Sequence, residues 1–274
     1  MAMRLLISLS LSERVLKDYK DSRGAFKRTA AKRFEDFDDS AAVAITKRFS
    51  ANKPLRIADT GVSDGRTALD FFDRLKDAYP AISYAASDYG SRVTCVRKGS
   101  LQVCADNSGA VAEIVWKKFV LKQFGFIGFL FYPINFFLYL LLKPIAKRLL
   151  QNGTDRREIL LFFGAALQTA QNDRRFTLGE HNILEPFDAQ FHIVRAMNPL
   201  NTSYFTTEQF GAILRHIHNA LLPNGLLITG SNQDAGSVVN GGIYQKTAQG
   251  FAEVWRSGEG SPITDLIGAF AQDS

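Results

Sequence analysis

Cysteine is nearly absent: Cys95 and Cys104 are the only two in 274 residues. Neither belongs to a CxxC pair or a Cys/His cluster, so no metal site is expected. The two thiols would flank a hairpin, but a pair of buried, reduced thiols is the expectation. Internal repeats and low-complexity linkers are also missing. The first ten residues carry an apolar stretch too short for a secretory signal, with no small-residue cleavage site after it. They are read as the start of the first helix or strand. Net charge is only +6, from 33 basic and 27 acidic residues. That balance suits an anionic membrane, nucleic acid or an acidic substrate, and selects none of them. Apolar residues make up 46% of the chain, which excludes global disorder.

The periodicity that is present reads as α/β. Residues 11–50 place Val15, Tyr19, Phe26, Phe34 and Phe37 at helical spacing, so two or three helices are expected there. Leu55 to Asp59 is a short apolar strand that enters a glycine-bearing turn. Arg66 to Ala78 follows as an amphipathic helix, and Ile82 to Asp88 as the next strand. Residues 92–115 break into short β segments separated by turn residues and read as a small hairpin excursion. Residues 154–171 read as an amphipathic helix carrying Ile159, Leu160, Phe163 and Leu167. Phe176–Leu178 leads to Asn182-Ile183-Leu184. Phe191–Arg195 is a strand, and Thr207–Leu222 a helix with Thr206 or Thr207 as its cap. Leu226–Gly230 is a buried strand. Two segments starting at Gly242 and Gly250 form an antiparallel terminal pair.

The stretch Asp59-Thr-Gly61-Val-Ser63-Asp64-Gly65 carries the chemistry. Glycines let backbone approach a ligand, and the following helix offers its amide end. An acid closing the second strand can accept from both ribose hydroxyls. Asp88 stands there, twenty-three residues after Gly65. The order D-x-G-x-S-x-G resembles motif I of the class I S-adenosylmethionine-dependent methyltransferases, with Ser63 at a glycine position. Further stretches resemble later motifs of that family: Asp88 the ribose acid, Asn182-Ile183 the adenine contact, Phe191–Asn198 the fourth strand, and Leu221–Gly230 the turn before the fifth. The resemblance covers residues 55–90 and 174–256.

It implies a Rossmann-like, seven-stranded, mostly parallel sheet with an antiparallel last strand, and S-adenosyl-L-methionine as cofactor. It implies a cofactor site of Asp59, Gly61, Ser63, Asp64, Gly65, Asp88, Asn182 and Ile183, with Asp59 facing the methionine ammonium group. Arg195, Asn198 and Asn201 follow the fourth strand and are candidates to face the methyl acceptor, which the sequence leaves unidentified. The alternatives are an ion-paired Arg195 and an Asn198 that caps a turn. His181 and His192 are read as structural. A non-catalytic nucleoside-binding protein that keeps the fold is the competing function.

Residues 124–142 contain no charge. As one helix they would span about 28 Å, near the thickness of a hydrocarbon core. A single crossing is not expected, because strands of one sheet lie on both sides of the run. Basic residues at 117, 118, 122, 143, 147 and 148 flank it, and Pro133 sits at its centre. The reading is a re-entrant or in-plane hairpin on an anionic membrane, within 117–148. A buried cap, a homodimer contact and an acceptor tunnel are the alternatives. Nucleic acid is not favoured, since those flanking charges are its only support. The expected organisation is a helical segment 1–50, a methyltransferase domain 51–256 with an insertion 92–153, and a tail 257–274. The expected location is the cytoplasm, peripheral or monotopic at the inner membrane face.

Overall fold

The computed structural model describes residues 29–106, 108–117, 119–121, 133–232 and 238–271. They fall into two compact units, one holding Gly90–Gly164 and the other Thr29–Tyr89 with Ala165–Ser274.

The second unit is the Rossmann-like domain. It contains α1 (Glu35–Arg48), β1 (Leu55–Thr60), α2 (Arg66–Leu75) and β2 (Ile82–Ser87). The segment from 90 to 164 contributes β3 (Arg92–Lys98), β4 (Leu101–Ala105), β5 (Val111–Trp116), β6 (Phe119–Leu121), α3 (Pro133–Asn152) and β7 (Arg156–Leu160), and the chain continues through α4 (Gly164–Asn172). The Rossmann-like unit then resumes with β8 (Phe176–Gly179), β9 (Phe191–Met197), α5 (Thr207–Ala220), β10 (Leu221–Ser231), β11 (Asn240–Lys246), β12 (Phe251–Ser257) and α6 (Thr264–Ala269).

Its sheet has seven strands in the order β8-β2-β1-β9-β10-β11-β12. The first five run parallel, and β11 pairs antiparallel with both neighbours. This is the mostly parallel sheet that the motifs imply. The reversal falls on β11, the next-to-last strand. Thr247 and Gly250 close a short hairpin, N to O 2.9 Å. A connection that short places β12 beside β11, because a parallel return needs a dozen residues or more.

Parallel strands need cover on both faces, hence apolar runs such as Ile193–Val194 and Leu226–Ile228, all fully buried. Helix α5 covers one face with Phe210, Ile213, Leu214 and Ile217, packed on Val194, Ala196 and Leu227. It starts as expected: Thr206 accepts from the Gln209 amide while the Gln209 side chain accepts from the Thr206 amide. Helix α2 buries Ala68, Phe71, Phe72 and Leu75.

The Gly90–Gly164 unit is a five-stranded sheet, β6-β5-β4-β3-β7. The excursion at 92–115 is therefore the centre of a larger sheet. The expected helix over 154–171 is corrected here. Its first part, Arg156–Leu160, is a strand antiparallel to β3, and only Gly164–Asn172 is helical. Pairing with the free edge of β3 outweighs a helical pattern of apolar residues. Cys95 and Cys104 are also corrected. They are register partners on β3 and β4, Cα atoms 4.0 Å apart, and are joined as a disulfide. The turn at Gly99 sets that register.

Helix α3 packs Tyr139, Ala146 and Leu149 against Val96, Val103 and Ile114. Pro133, where the break in the uncharged run is expected, is the first described residue of α3, and the proline inside that helix is Pro144. Residues 124–132 of the uncharged run lie outside the described residues. Among the described residues, no helix is long and apolar enough to cross a membrane.

Candidate functional site

At the end of β1 the chain leaves the sheet through three left-handed residues at alternate positions. Their φ values are +72° at Gly61, +57° at Ser63 and +81° at Gly65. That alternation is the physical content of the G-x-S-x-G spacing. Gly61 has a second reason: a Cβ there would lie 2.6 Å from Cγ of Pro199. Ser63 takes the same backbone conformation with a side chain, which costs about 1–2 kcal/mol against glycine.

The turn spends its own amides. Gly61 and Val62 donate to the Ser87 carbonyl at 2.8 and 3.2 Å, and Gly65 to Val62 at 2.9 Å. The Ser63 amide donates to Oδ1 of Asp88 at 2.9 Å. Asp88 thus stands where expected, half-buried at the end of β2, and it anchors the turn. Its own amide donates to Gly179 at 3.3 Å, which brings the end of β8 alongside.

Asp64 is placed differently from the expectation of a ligand contact. Its carboxylate is buried at the start of α2 and accepts from the Arg66 amide at 3.3 Å, Arg66 Nε at 3.0 Å and the Thr29 amide at 3.4 Å. Burial holds its pKa above the ordinary carboxylate value, against the hydrogen bonds from Arg66 and Thr29. The amide end of α2 therefore already faces a protein carboxylate.

Asp59 departs most from its implied role, and Arg195 takes the ion-paired alternative. Asp59 is 1% exposed, as is Arg195, and the two are register partners on β1 and β9. Arg195 Nη1 donates to Asp59 Oδ2 at 2.7 Å. Its Nη2 donates to both Asp38 oxygens, at 2.9 and 3.2 Å. The Tyr84 hydroxyl donates to Asp59 Oδ2 at 2.5 Å. Phe71 closes the network, with the guanidinium 4.7 Å from its ring centre. Arg195 is a core ion-pair residue and is withdrawn from any acceptor. Asp59 meets a guanidinium, where the resemblance implied a ligand ammonium. Burial raises the pKa of both acids against the pull of Arg195, and Asp38 reaches about 6. Burial and the Asp59 charge lift the Tyr84 hydroxyl well above its ordinary value.

Asn182 and Ile183 shape the segment after β8. Asn182 Oδ1 accepts from the Leu184 amide at 3.1 Å, and its carbonyl from Glu185 at 2.8 Å. Ile183 is buried in the cluster with Phe210 and Ile213, so its side chain serves packing. The histidines have structural settings: His192 Nδ1 accepts from the Arg56 amide at 3.0 Å, and the His181 ring packs at a tilt with its centre 4.4 Å from that of Phe187.

Asn198 and Asn201 do come together. They line a cavity of about 580 Å³ with Arg33, Tyr204, Ser231, Asn232, Val238 and Asn240. It lies at the carboxyl ends of β9 and β10, where open α/β sheets hold ligands. Asn198 is itself left-handed, φ +71°, and its amide donates to Gly230 at 2.8 Å. Arg33 Nε and Nη2 donate to Oδ1 and the carbonyl of Asn232, at 2.7 and 2.9 Å. Asn232 Nδ2 returns a bond to the Arg33 carbonyl at 3.1 Å. The motif comparison missed Arg33, Asn232 and Asn240. Arg33 meets Asn232 only through the tertiary fold, and no local spacing signals such a pair.

No family model and no curated protein matches the chain. Solved structures match it at low identity. One is the CMeT domain of the citrinin polyketide synthase, 16% identical, TM-score 0.36, covering 71% of this chain and 34% of that one. Another is the CurJ carbon methyltransferase, 13% identical, TM-score 0.37, covering 81% and 39%. A third is CalS10, an amino pentose methyltransferase from Micromonospora echinaspora, 12% identical, TM-score 0.34, covering 82% and 75%. The match thus spans little more than a third of the first two structures. Likeness at this level bears on neither ligand nor activity, which rest on the chain's own residues.

Proposed function

We propose that the chain is an S-adenosylmethionine-dependent methyltransferase whose nucleoside lies against the Gly61–Gly65 turn and Asp88. The observation that carries this is the state of the turn. A pyrophosphate cradle needs free amides at a helix start. Here the turn amides of Gly61, Val62, Ser63 and Gly65 have protein acceptors, and Asp64 occupies the start of α2. That arrangement disfavours a phosphate and leaves a close-approach surface suited to an uncharged nucleoside. Asp88, at the end of the neighbouring strand, supplies the ribose acceptor. The cofactor would bring an activated methyl group, and the protein's part is to orient acceptor and sulfonium in line. Asn198 and Asn201 remain the acceptor-side candidates. Calorimetry with S-adenosylhomocysteine and with NAD tests the reading. S-adenosylhomocysteine should bind and NAD should not; the reverse, or binding of neither, overturns it.

A second observation supports membrane association. Helix α3 exposes Ile134 (75%), Phe137 (61%), Leu141 (69%) and Ile145, with Lys147 and Arg148 exposed just beyond them. It contains no acidic residue. An apolar face ending in cations matches an in-plane helix on an anionic bilayer. The proposed location is accordingly a membrane surface. The protein should float with vesicles of phosphatidylglycerol and phosphatidylcholine, and the double variant Phe137→Ser, Leu141→Ser should not. Equal behaviour of the two proteins refutes the assignment. A dimer that the variant dissociates gives the face to a second copy instead.

A further inference from the structure

The stretch from Thr29 to Arg33 is joined to the nucleoside turn from two sides. On one side the Thr29 amide donates to Oδ2 of Asp64 at 3.4 Å, and the Lys32 amide to Oδ2 of Asp70 at 2.7 Å. Asp64 lies within the Gly61–Gly65 turn, and Asp70 on α2. On the other side Arg33 and Asn232, just past the end of β10, share three hydrogen bonds of 2.7 to 3.1 Å. The Asn232 amide in turn donates to Oδ1 of Asn198 at 3.4 Å. Asn198 adjoins Pro199, whose ring packs on Gly61, where a Cβ would lie 2.6 Å from its Cγ. The contacts thus form a closed circuit. It leaves the turn at Asp64, passes through residues 29–33 and Asn232, and returns through Pro199 to Gly61.

The circuit is unevenly fastened. From Phe34 onward the chain is moored by buried side chains. Phe34, Phe37 and Asp38 are buried; Phe37 packs on Trp255, ring centres 5.4 Å apart, and Asp38 holds Arg195. Ala30, Ala31 and Lys32 are exposed, and the described bonds of 29–33 to the turn, α2 and Asn232 are polar. Lys32 is also left-handed, φ +56°, a conformation that a residue with a side chain takes under constraint. An exposed stretch tied by polar bonds opens far more readily than one anchored in the core. The change from one regime to the other falls between Arg33 and Phe34, which makes that junction the hinge.

We propose that residues 29–33 are a latch over the nucleoside on the Gly61–Gly65 turn, with the Arg33–Asn232 pair as its catch. The inference rests on the methyltransferase reading above. Closed, the latch covers the turn and keeps a bound nucleoside in place; open, it lets one enter or leave. Arg33 and Asn232 also line the cavity with Asn198 and Asn201, so the catch adjoins the acceptor side as well. A latch that covers a ligand without holding it slows entry and exit alike. A residue that holds the ligand directly acts on release alone. The two roles are therefore separable by rates.

Surface plasmon resonance, with the full chain immobilised and S-adenosylhomocysteine in solution, reads both rates. Arg33→Ala and Asn232→Ala should each speed association and dissociation about tenfold, with Kd within about threefold of wild type. The double variant should be no faster than the faster single one, because both substitutions remove the same catch. That cycle separates the pair from every other contact of either residue. Hydrogen exchange gives a second readout. The Lys32 amide should exchange faster in Asn232→Ala than in wild type, and slower in wild type once S-adenosylhomocysteine is bound. Unchanged rates, faster dissociation with unchanged association, or additive effects of the two substitutions overturn the latch. Lys32 exchange that the ligand leaves unchanged overturns it too. A wild type that binds no S-adenosylhomocysteine refutes the methyltransferase reading and the latch together, whereas binding at the same rates in all four proteins refutes the latch alone.

Discussion

Arg195 and Asp59 face one another across β9 and β1, Nη1 to Oδ2 2.7 Å, with both side chains buried. One guanidinium there neutralises two carboxylates, because Asp38 holds its other nitrogen. Removing it would strand two buried acids. Arg195→Met should therefore lower stability by about 3–5 kcal/mol. Arg195→Lys should fail to restore it, since a single ammonium does not reproduce the two-sided fork. Urea denaturation checks both, and unchanged stability in Arg195→Met would contradict the assignment.

The same network predicts a pH dependence. Burial raises the folded pKa of Asp38 from 3.8 to about 6. The folded state thus holds this proton more tightly than the unfolded chain does. The contribution of Asp38 to stability is full below its ordinary value and falls as pH rises through about 6. The difference in unfolding free energy between wild type and Asp38→Asn, taken from pH 4 to pH 7, should shift against wild type across that window. A shift in its favour would mean that Arg195 outweighs burial.

Two substitutions in the turn separate geometry from composition. Gly61→Ala meets Pro199 and a positive φ together, and should cost about 2 kcal/mol or more and weaken cofactor binding. Ser63→Gly relieves a positive φ but frees the unfolded chain, so its net effect should stay within about 1 kcal/mol. Thermal unfolding of the two variants gives the comparison, and equal costs would refute it.

Cys95 and Cys104 are nine residues apart and close a small hairpin loop. Loop-closure entropy for such a span is worth about 2–3 kcal/mol. Reduction should lower the stability of the Gly90–Gly164 unit by that amount, readable by hydrogen exchange on β3 and β4. Alkylation at lysis, followed by mass measurement, should show both cysteines protected. Two labelled cysteines would contradict the pairing.

Much of this was legible in the residues, for a physical reason. The turn from Asp59 to Gly65, the strand ending at Asp88 and the cap at Thr206 are local patterns, and local chemistry fixes them. What was misread depends on register or on strand partners far along the chain. Asp59 and Arg195 are 136 residues apart, so the sequence shows two ionisable residues and not their bond. Only the order of β1 beside β9 makes Arg195 a core residue. Likewise Arg156–Leu160 has a helix-compatible pattern, and it becomes a strand because β3 offers an edge. The cysteines sat on two adjacent predicted strands, yet their pairing needed the register that Gly99 sets. The cavity was half-visible: Asn198 and Asn201 followed a recognised strand, while Arg33 reached it from a helical segment with no motif.

The central claim is that Asp88 and the Gly61–Gly65 turn hold a nucleoside. Asp88→Asn tests it most directly, because the amide oxygen can still accept from Ser63 while the charge that would bind the ribose is gone. Calorimetry of S-adenosylhomocysteine with wild type and this variant should show binding weakened roughly tenfold or more in a protein of unchanged thermal stability. Equal affinity in the two proteins would contradict the account.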